Sequence, residues 1–324
     1  MHVGGPVEGS GFFNQPPPVG RLKERFVVPP FSVWNTRDGD WQRRRRLWLA
    51  KGIQSEIGRD LSRNSIEADA LYSTQYDIDV SSGRGFYTLA TSVFDPVVCE
   101  LVYSWWCPPG GVVVDPFAGG SVRGIVASVL GLKYYGIELR AEQVRANRAQ
   151  INDATRGGYS PRWRVGDAYE LLPLAPRCDF LFSCPPYGNL EVYSDEPGDL
   201  SALPHADFCR RYRDIIIRAT SRLRRDSFAC FVVGNYRAKE PGLQMVDFVG
   251  ETVRAFAAGG AQLYNDVVLV NAVGTGALRV GASFVRGSRK VVKLHQNVLV
   301  FVKGDPARAA AKVPLSADVS VGGT

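Results

Sequence analysis

The stretch Val112-Val113-Val114-Asp115-Pro116-Phe117-Ala118-Gly119-Gly120-Ser121-Val122-Arg123-Gly124 decides how this chain folds. Consecutive β-branched residues predict the end of a buried parallel strand. Asp115-Pro116 closes it, because proline has no N–H for the ladder of a central strand. Gly119-Gly120 then gives a turn free of side chains, and Ile125 to Leu130 predicts the helix that follows. Strand, glycine turn and helix let backbone approach a ligand closely and offer it the free N–H groups of a helix N-terminus. Taken alone, such a turn serves equally well to pack a helix on a sheet, so its meaning depends on the residues around it.

Downstream, strand and helix signals alternate. Tyr134 to Glu138 predicts a second strand ending in an acid, about 20 residues past the glycine turn, where Rossmann-like sheets hold ribose hydroxyls. Glu142 to Ala149 is a helix, and Trp163 to Asp167 is a third strand ending in an acid. Cys178 to Phe182 is a fourth strand, running into Ser183-Cys184-Pro185-Pro186-Tyr187-Gly188. An amphipathic helix over Phe208 to Leu223, a strand over Phe228 to Val233 and a helix over Phe248 to Ala257 follow. Leu263 to Val270 and Val298 to Val302 are the last strands, expected as an antiparallel edge pair. Upstream, Asp95-Pro96 starts a helix that Pro108-Pro109-Gly110 stops. Alternation of this kind implies a doubly wound α/β sheet, whose ligands sit beyond the carboxyl ends of the strands. The 115–121 turn, Glu138, Asp167 and Ser183 to Tyr187 all fall at such ends.

The flanks differ. Residues 1–20, with Pro16-Pro17-Pro18, read as a flexible tail. A basic arm is expected over 21–85, where Trp41 and Trp48 lie seven apart and so share a helix face. Arg43, Arg44, Arg45 and Arg46 spread over the rest of that helix, as a solvated face or a phosphate-tracking surface, two compatible readings. Residues 86–305 form the expected catalytic domain and 306–324 an Ala-rich tail. Hydrophobic residues are 45% and charged residues 22% of the 324, an ordinary globular balance. The formal charge of +7 suits a polyanionic partner. No apolar run is long enough to span a bilayer, and the N-terminus lacks a signal core. The six cysteines form no C-x-x-C pair and histidines number only three, so we expect reduced thiols in a cytoplasmic protein with no metal and no membrane association.

With both motifs in view, the chain resembles the class I S-adenosylmethionine-dependent methyltransferases, specifically the DNA amino-methyltransferases. Asp115-Pro116-Phe117-Ala118-Gly119-Gly120-Ser121 is similar to their D-P-F-x-G-S/G-G/S cofactor loop, and Cys184-Pro185-Pro186-Tyr187 to their (D/N/S)-P-P-Y catalytic motif. Phe94-Asp95-Pro96 resembles the segment before the cofactor loop. More narrowly, the P-P-F-S-V run at Pro29 to Val33, the S-C-P-P-Y run and H-Q-N-V-L-V-F at His295 to Phe301 resemble methylases encoded by actinobacterial phages. The resemblance implies a mostly parallel, seven-stranded Rossmann-like sheet with an N-terminal arm. It implies S-adenosylmethionine at Phe94, Asp95, Pro96, Asp115 to Ser121, Glu138 and Asp167, and DNA as partner. It implies that the Pro185 carbonyl takes an amine hydrogen of adenine or cytosine while Tyr187 stacks on the flipped base.

The chemistry accounts for these residue types. An exocyclic amine is a poor nucleophile because its lone pair is delocalised into the ring, so acceptors must hold its hydrogens and aim the lone pair. A Pro-Pro turn supplies rigid acceptors, since its nitrogens donate nothing. Cys184 departs from the pattern, because a thiol accepts weakly. Its sulfur or backbone serves, neighbouring Ser183 substitutes, or the second hydrogen is held in another way. A nucleophilic Cys184 would suit C5-cytosine chemistry, but the Pro-Cys order of those enzymes is absent. Target recognition falls to the arm, to the loop from Glu191 to Asp199, and to a basic loop with Arg279, Arg286, Arg289, Lys290 and Lys293. An RNA or tRNA methyltransferase and a non-catalytic nucleic-acid-binding protein with the same fold are the competing readings.

Overall fold

The computed structural model describes residues 26, 28–53, 94–152, 158–188, 198–237, 244–271, 280, 284–287 and 289–314. The expected tail at 1–20, most of the arm beyond residue 53, the loop Glu191 to Asp195, Arg279 and the end of the chain lie outside them.

The strands are β1 (Val33–Asn35), β2 (Val112–Asp115), β3 (Lys133–Glu138), β4 (Arg162–Val165), β5 (Cys178–Ser183), β6 (Leu223–Val233), β7 (Tyr236–Arg237), β8 (Met245–Val246), β9 (Gln262–Val270) and β10 (His295–Lys303). The helices are α1 (Gly39–Leu49), α2 (Pro96–Trp106), α3 (Val122–Val129), α4 (Ala141–Ala149), α5 (Ala168–Leu171), α6 (His205–Arg222), α7 (Phe248–Ala258) and α8 (Pro306–Ala311). One sheet of eight strands, in the order β1-β9-β10-β6-β5-β2-β3-β4, forms the centre. β2, β3, β4, β5 and β6 are parallel. β10 runs antiparallel to both β6 and β9, as expected of the last strands.

The chain order reverses between β2 and β5, which pair through Val113↔Phe180 and Val114↔Leu181. That reversal opens a crevice beyond the strand ends, the place where doubly wound sheets bind ligands. Alternation along the strands sends side chains into two cores. Val113, Phe180 and Phe182 meet α1, α2 and α3 on one face. Val114, Leu181 and Phe231 meet α6 and α7 on the other. Strands buried on both faces read as continuous apolar runs, which is why Val112 to Val114 was legible.

Two features correct the sequence expectation. Among the described residues the sheet has eight strands rather than seven, because Val33–Asn35 adds in parallel to β9. The segment after residue 305 opens with α8, where the Asp305 side chain caps the Arg308 N–H and Ala309 enters the core.

Candidate active site

Asp115 ends β2, and its carboxylate is fully buried. It accepts from Arg123 Nε at 2.6 Å, Tyr134 Oη at 2.7 Å, Ser183 Oγ at 2.5 Å and its own loop at Phe117 N, 3.1 Å. Four donors leave it no face for a ligand, which corrects its placement as a direct cofactor contact. It is the hub of the loop. Arg123, which the sequence reading passed over, completes the hub by donating to the Phe117 and Ala118 carbonyls at 2.6 and 2.9 Å. Burial works against the Arg123 charge, but Asp115 beside it outweighs that and holds its pKa above the usual value.

The hub reaches both neighbouring segments. The Arg123 guanidinium lies 4.8 Å from the Phe94 ring, which packs edge-on against Phe182 of β5. Asp95 caps α2 at Val97 N, 2.8 Å, and accepts Trp41 Nε1 at 2.8 Å, while Pro96 takes the first helical position. Asp95 and Pro96 therefore start a helix and anchor the arm, with their faces turned to protein. Burial raises the Asp95 pKa, against the hydrogen bonds that lower it.

The glycine turn is the open part. Gly119 has φ of 51°, and a Cβ there would meet nothing within 4 Å. Glycine takes this left-handed conformation without strain, and the outer surface of the loop stays bare. From beneath, Asn147 Nδ2 of α4 donates to the Gly119 carbonyl at 2.8 Å, and Ser121 Oγ donates to Gln150 Oε1 at 2.9 Å. Glu138 ends β3 beside the turn. It accepts Gly119 N at 2.9 Å and Arg140 N at 3.0 Å, with Arg140 Nε 3.5 Å away. Burial raises its pKa, which Arg140 and these N–H groups partly offset. Asp167 follows β4, caps α5 at Tyr169 N, and pairs with Arg211 Nη2 at 2.7 Å. Arg211 and Arg218 both lie over the Tyr169 ring, at 3.6 and 3.5 Å. A bare turn flanked by two acids at successive strand ends could hold a nucleoside-bearing cofactor, the acids accepting its hydroxyl and amine hydrogens.

On the other side of the switch point, Ser183 ends β5 and is fully buried. Its hydroxyl donates to Asp115, and with the side chain fully buried it lies out of a substrate's reach in place of Cys184. Cys184 is partly buried against the core, Pro185 is buried, and Pro186 and Tyr187 are half-exposed. The Tyr187 hydroxyl accepts Gln296 Nε2 at 2.7 Å, and its ring rests on Tyr236 and Phe248 with centroids 6.1 and 5.7 Å away. The aromatic wall continues through Tyr212, 4.9 Å from Phe248, to Phe117 of the glycine loop, 6.1 Å from Tyr212. Gln296 was not among the expected residues. Its signal was the antiparallel last strand, which brings an N-terminal end to this edge.

No family model matches the chain, and no curated protein matches it. Among solved structures, its fold is similar to that of TrmN from Thermus thermophilus, at 16% identity and a TM-score of 0.45, covering 65% of this chain. The chain spans about half of that protein, 49% of its length. It is also similar to a TehB-like SAM-dependent methyltransferase from Corynebacterium glutamicum, at 17% identity, a TM-score of 0.39 and coverage of 66% and 89% of the two chains. A third is the magnesium protoporphyrin IX methyltransferase of Synechocystis PCC 6803 with bound SAH, at 12% identity, a TM-score of 0.42 and coverage of 65% and 81%. These likenesses concern the fold.

The expected basic residues divide. Arg44 is not on a solvated face: it forks onto the fully buried Glu100, which also accepts Trp48 Nε1 at 2.8 Å. Arg43 and Arg46 are exposed, and Arg45 is half-buried, near enough to Asp95 to lower its pKa. Arg286 and Arg289 are exposed, and Lys290 is half-buried. Lys293 is turned inward, its Nζ donating to the Asn235 carbonyl at 3.0 Å. Among the described residues no helix is long and apolar enough to cross a membrane, and no group of three or more His, Cys, Asp or Glu could hold a metal. No disulfide forms, and burial pushes the Cys178 thiol up to about 12.

Proposed function

We propose that the chain is an S-adenosylmethionine-dependent methyltransferase acting on the exocyclic amine of a flipped adenine or cytosine in DNA. The observation that carries this reading is the buried Ser183–Asp115 hydrogen bond at 2.5 Å. It joins the bare glycine loop at the end of β2 to the Cys-Pro-Pro-Tyr turn at the end of β5, on either side of the switch point. Glu138 holds the ribose hydroxyls, the Gly119-Gly120 turn admits the cofactor to the backbone, and Asp167 bounds the far side. When bound, the cofactor supplies a methyl group on a positively charged sulfur.

The remaining work is positioning. The Pro185 carbonyl accepts one amine hydrogen, and Cys184, through sulfur or backbone, faces the other. The lone pair is thereby turned towards the methyl, and alignment of this kind carries much of the rate in such transfers. Tyr187, its hydroxyl held by Gln296, offers a fixed ring on which the unstacked base rests, offsetting part of the cost of flipping. The exposed Arg43, Arg46, Arg286 and Arg289 supply charge for the phosphate backbone.

Transfer of radiolabelled methyl groups to duplex DNA, single-stranded DNA and RNA, offered separately, tests this. The reading expects label in DNA, and near-background label with Tyr187→Ala, whose cofactor binding is retained. Loss of base–aromatic stacking alone is worth about 1–3 kcal/mol. Label confined to RNA makes the chain an RNA methyltransferase. Cofactor binding with label in none makes it a binding protein.

A further inference from the structure

Because β10 runs against β6 and β9, its N-terminal end arrives at the crevice where the other strands end. The register Asn297↔Val233 sets Gln296 level with Gly234, and Lys293 reaches over them. A Cβ at Gly234 would stand 2.8 Å from Lys293 Nζ, so glycine is what admits the amine. The Nζ donates to the Asn235 carbonyl, and Gln296, three residues on, holds Tyr187.

Among the described residues the groups in contact with this amine are uncharged. Gly234 and Asn235 of the β6 end carry no charge, and Gln296 and Tyr187 are neutral. Among the described residues no carboxylate pairs with Lys293, and burial alone pushes its pKa down to about 8. The nearest titratable neighbour along β10 is His295, whose pKa burial and Lys293 lower and Asp266 of β9 raises. A neutral lysine gives one hydrogen to the Asn235 carbonyl and keeps its own lone pair free.

Methyl transfer to an exocyclic amine leaves a proton to be placed. The nitrogen lone pair forms the new C–N bond, and the C–S bond breaks with its electrons left on sulfur. The nitrogen then carries a positive charge and one hydrogen too many. Among the described residues the acids at the crevice have other commitments: Asp115 to four donors, Asp167 to Arg211, and Glu138 to the glycine loop and, in the reading above, the ribose.

We propose that Lys293 is the acceptor of that proton, serving the target base rather than the phosphate backbone. Its Nζ lone pair takes the hydrogen, the N–H electrons return to the methylated nitrogen, and the ammonium stays on the Asn235 carbonyl. The role rests on the methyl transfer proposed above.

The test uses the full chain, with Lys293→Arg and Lys293→Met. Single-turnover transfer to DNA by the wild type should rise through a pH of about 8. Both variants should lose about 100-fold in rate, a typical general-base contribution, together with that pH limb. Their cofactor binding and the salt dependence of their DNA binding should stay unchanged. Separately, acetylation of Lys293 followed by mass spectrometry, with no substrate present, should titrate near the same pH. A wild-type rate and pH profile in Lys293→Arg overturns the proposal, as does acetylation that titrates like an ordinary lysine. An unchanged rate with a flatter salt dependence returns Lys293 to the phosphate backbone and overturns it too. If the wild type methylates no base, the parent reading fails and this role with it. Failure of the role alone is recognised by a wild type that methylates and variants that match it.

Discussion

Asp115 and Arg123 face each other inside the core, and among the described residues neither side chain has a second counter-charge. Removing one partner of a buried pair leaves the other uncompensated, at a cost of about 3–5 kcal/mol. Asp115→Asn should lower stability by that amount in urea denaturation, and Asp115→Asn with Arg123→Met should lose less than the sum of the single changes. Additive losses would mean that the pair is not coupled. Glu138 works in the other direction. Its pKa is raised above the usual 4.5, so the folded protein binds its proton more tightly than the unfolded chain does. The stability this contributes is full below the ordinary value and is lost as pH rises through the raised one. The protonated form no longer accepts two ribose hydrogens. Cofactor affinity should therefore begin to fall, as pH is lowered, while still above 4.5. Glu138→Ala should weaken binding by about 1–3 kcal/mol at neutral pH and erase that pH dependence. Calorimetry showing equal affinity in a folded Glu138→Ala protein would place the ribose elsewhere.

Helix α1 shows how one element divides its charges. Trp41, Arg44 and Trp48 stand at positions i, i+3 and i+7, one face of a helix, and all three side chains turn to α2. The tryptophan spacing was legible in the sequence. The same spacing places Arg44 with the tryptophans, but its partner Glu100, 56 residues away, carries no local signal. Arg44→Ala should cost about 3–5 kcal/mol by stranding a buried carboxylate and leave the salt dependence of DNA binding unchanged. Arg43→Ala with Arg46→Ala should shift stability by less than about 0.5 kcal/mol each and flatten the salt slope by about 0.9 per lost phosphate contact. A stable Arg44→Ala protein with a flattened slope would reverse that assignment. Phe26 to Val33 reads as a short extended segment, but the place of β1 in the sheet was not legible, because its three residues carry little pattern and their partners Val268 to Val270 are more than 230 residues on. Helix α8 escaped for a different reason. Asp305-Pro306 is the same start signal as Asp95-Pro96, but an Ala-rich segment offers no apolar stripe to confirm it.

Across the whole molecule, topology decides which charges face the crevice. β1 is parallel to β9, and both β9 and β6 oppose β10, so β1 leads into α1 at the ligand edge. The connection from β9 to β10 starts and ends at that edge too. Both basic segments expected to meet DNA thus leave the sheet on the side where its parallel strands end. At the opposite pole, Lys303 holds the Thr220 and Leu223 carbonyls, Lys312 holds those of Arg225 and Asp226, and Arg308 pairs with Asp226. These charges close the fold. Neutralising Arg286 and Arg289 should weaken binding to any DNA sequence and flatten the salt slope without changing the methylated base. A changed target base would mean that these residues read sequence. The strand ends and both motifs were legible because each is local. The hub at Arg123 and the inward turn of Lys293 were not, because each depends on which strands become neighbours. If the crevice passes a methyl group to an exocyclic amine, mixed-sequence duplex DNA incubated with the chain and S-adenosylmethionine, digested to nucleosides and analysed by mass spectrometry, should yield N6-methyldeoxyadenosine or N4-methyldeoxycytidine. 5-Methyldeoxycytidine or unmodified nucleosides alone would rule that transfer out.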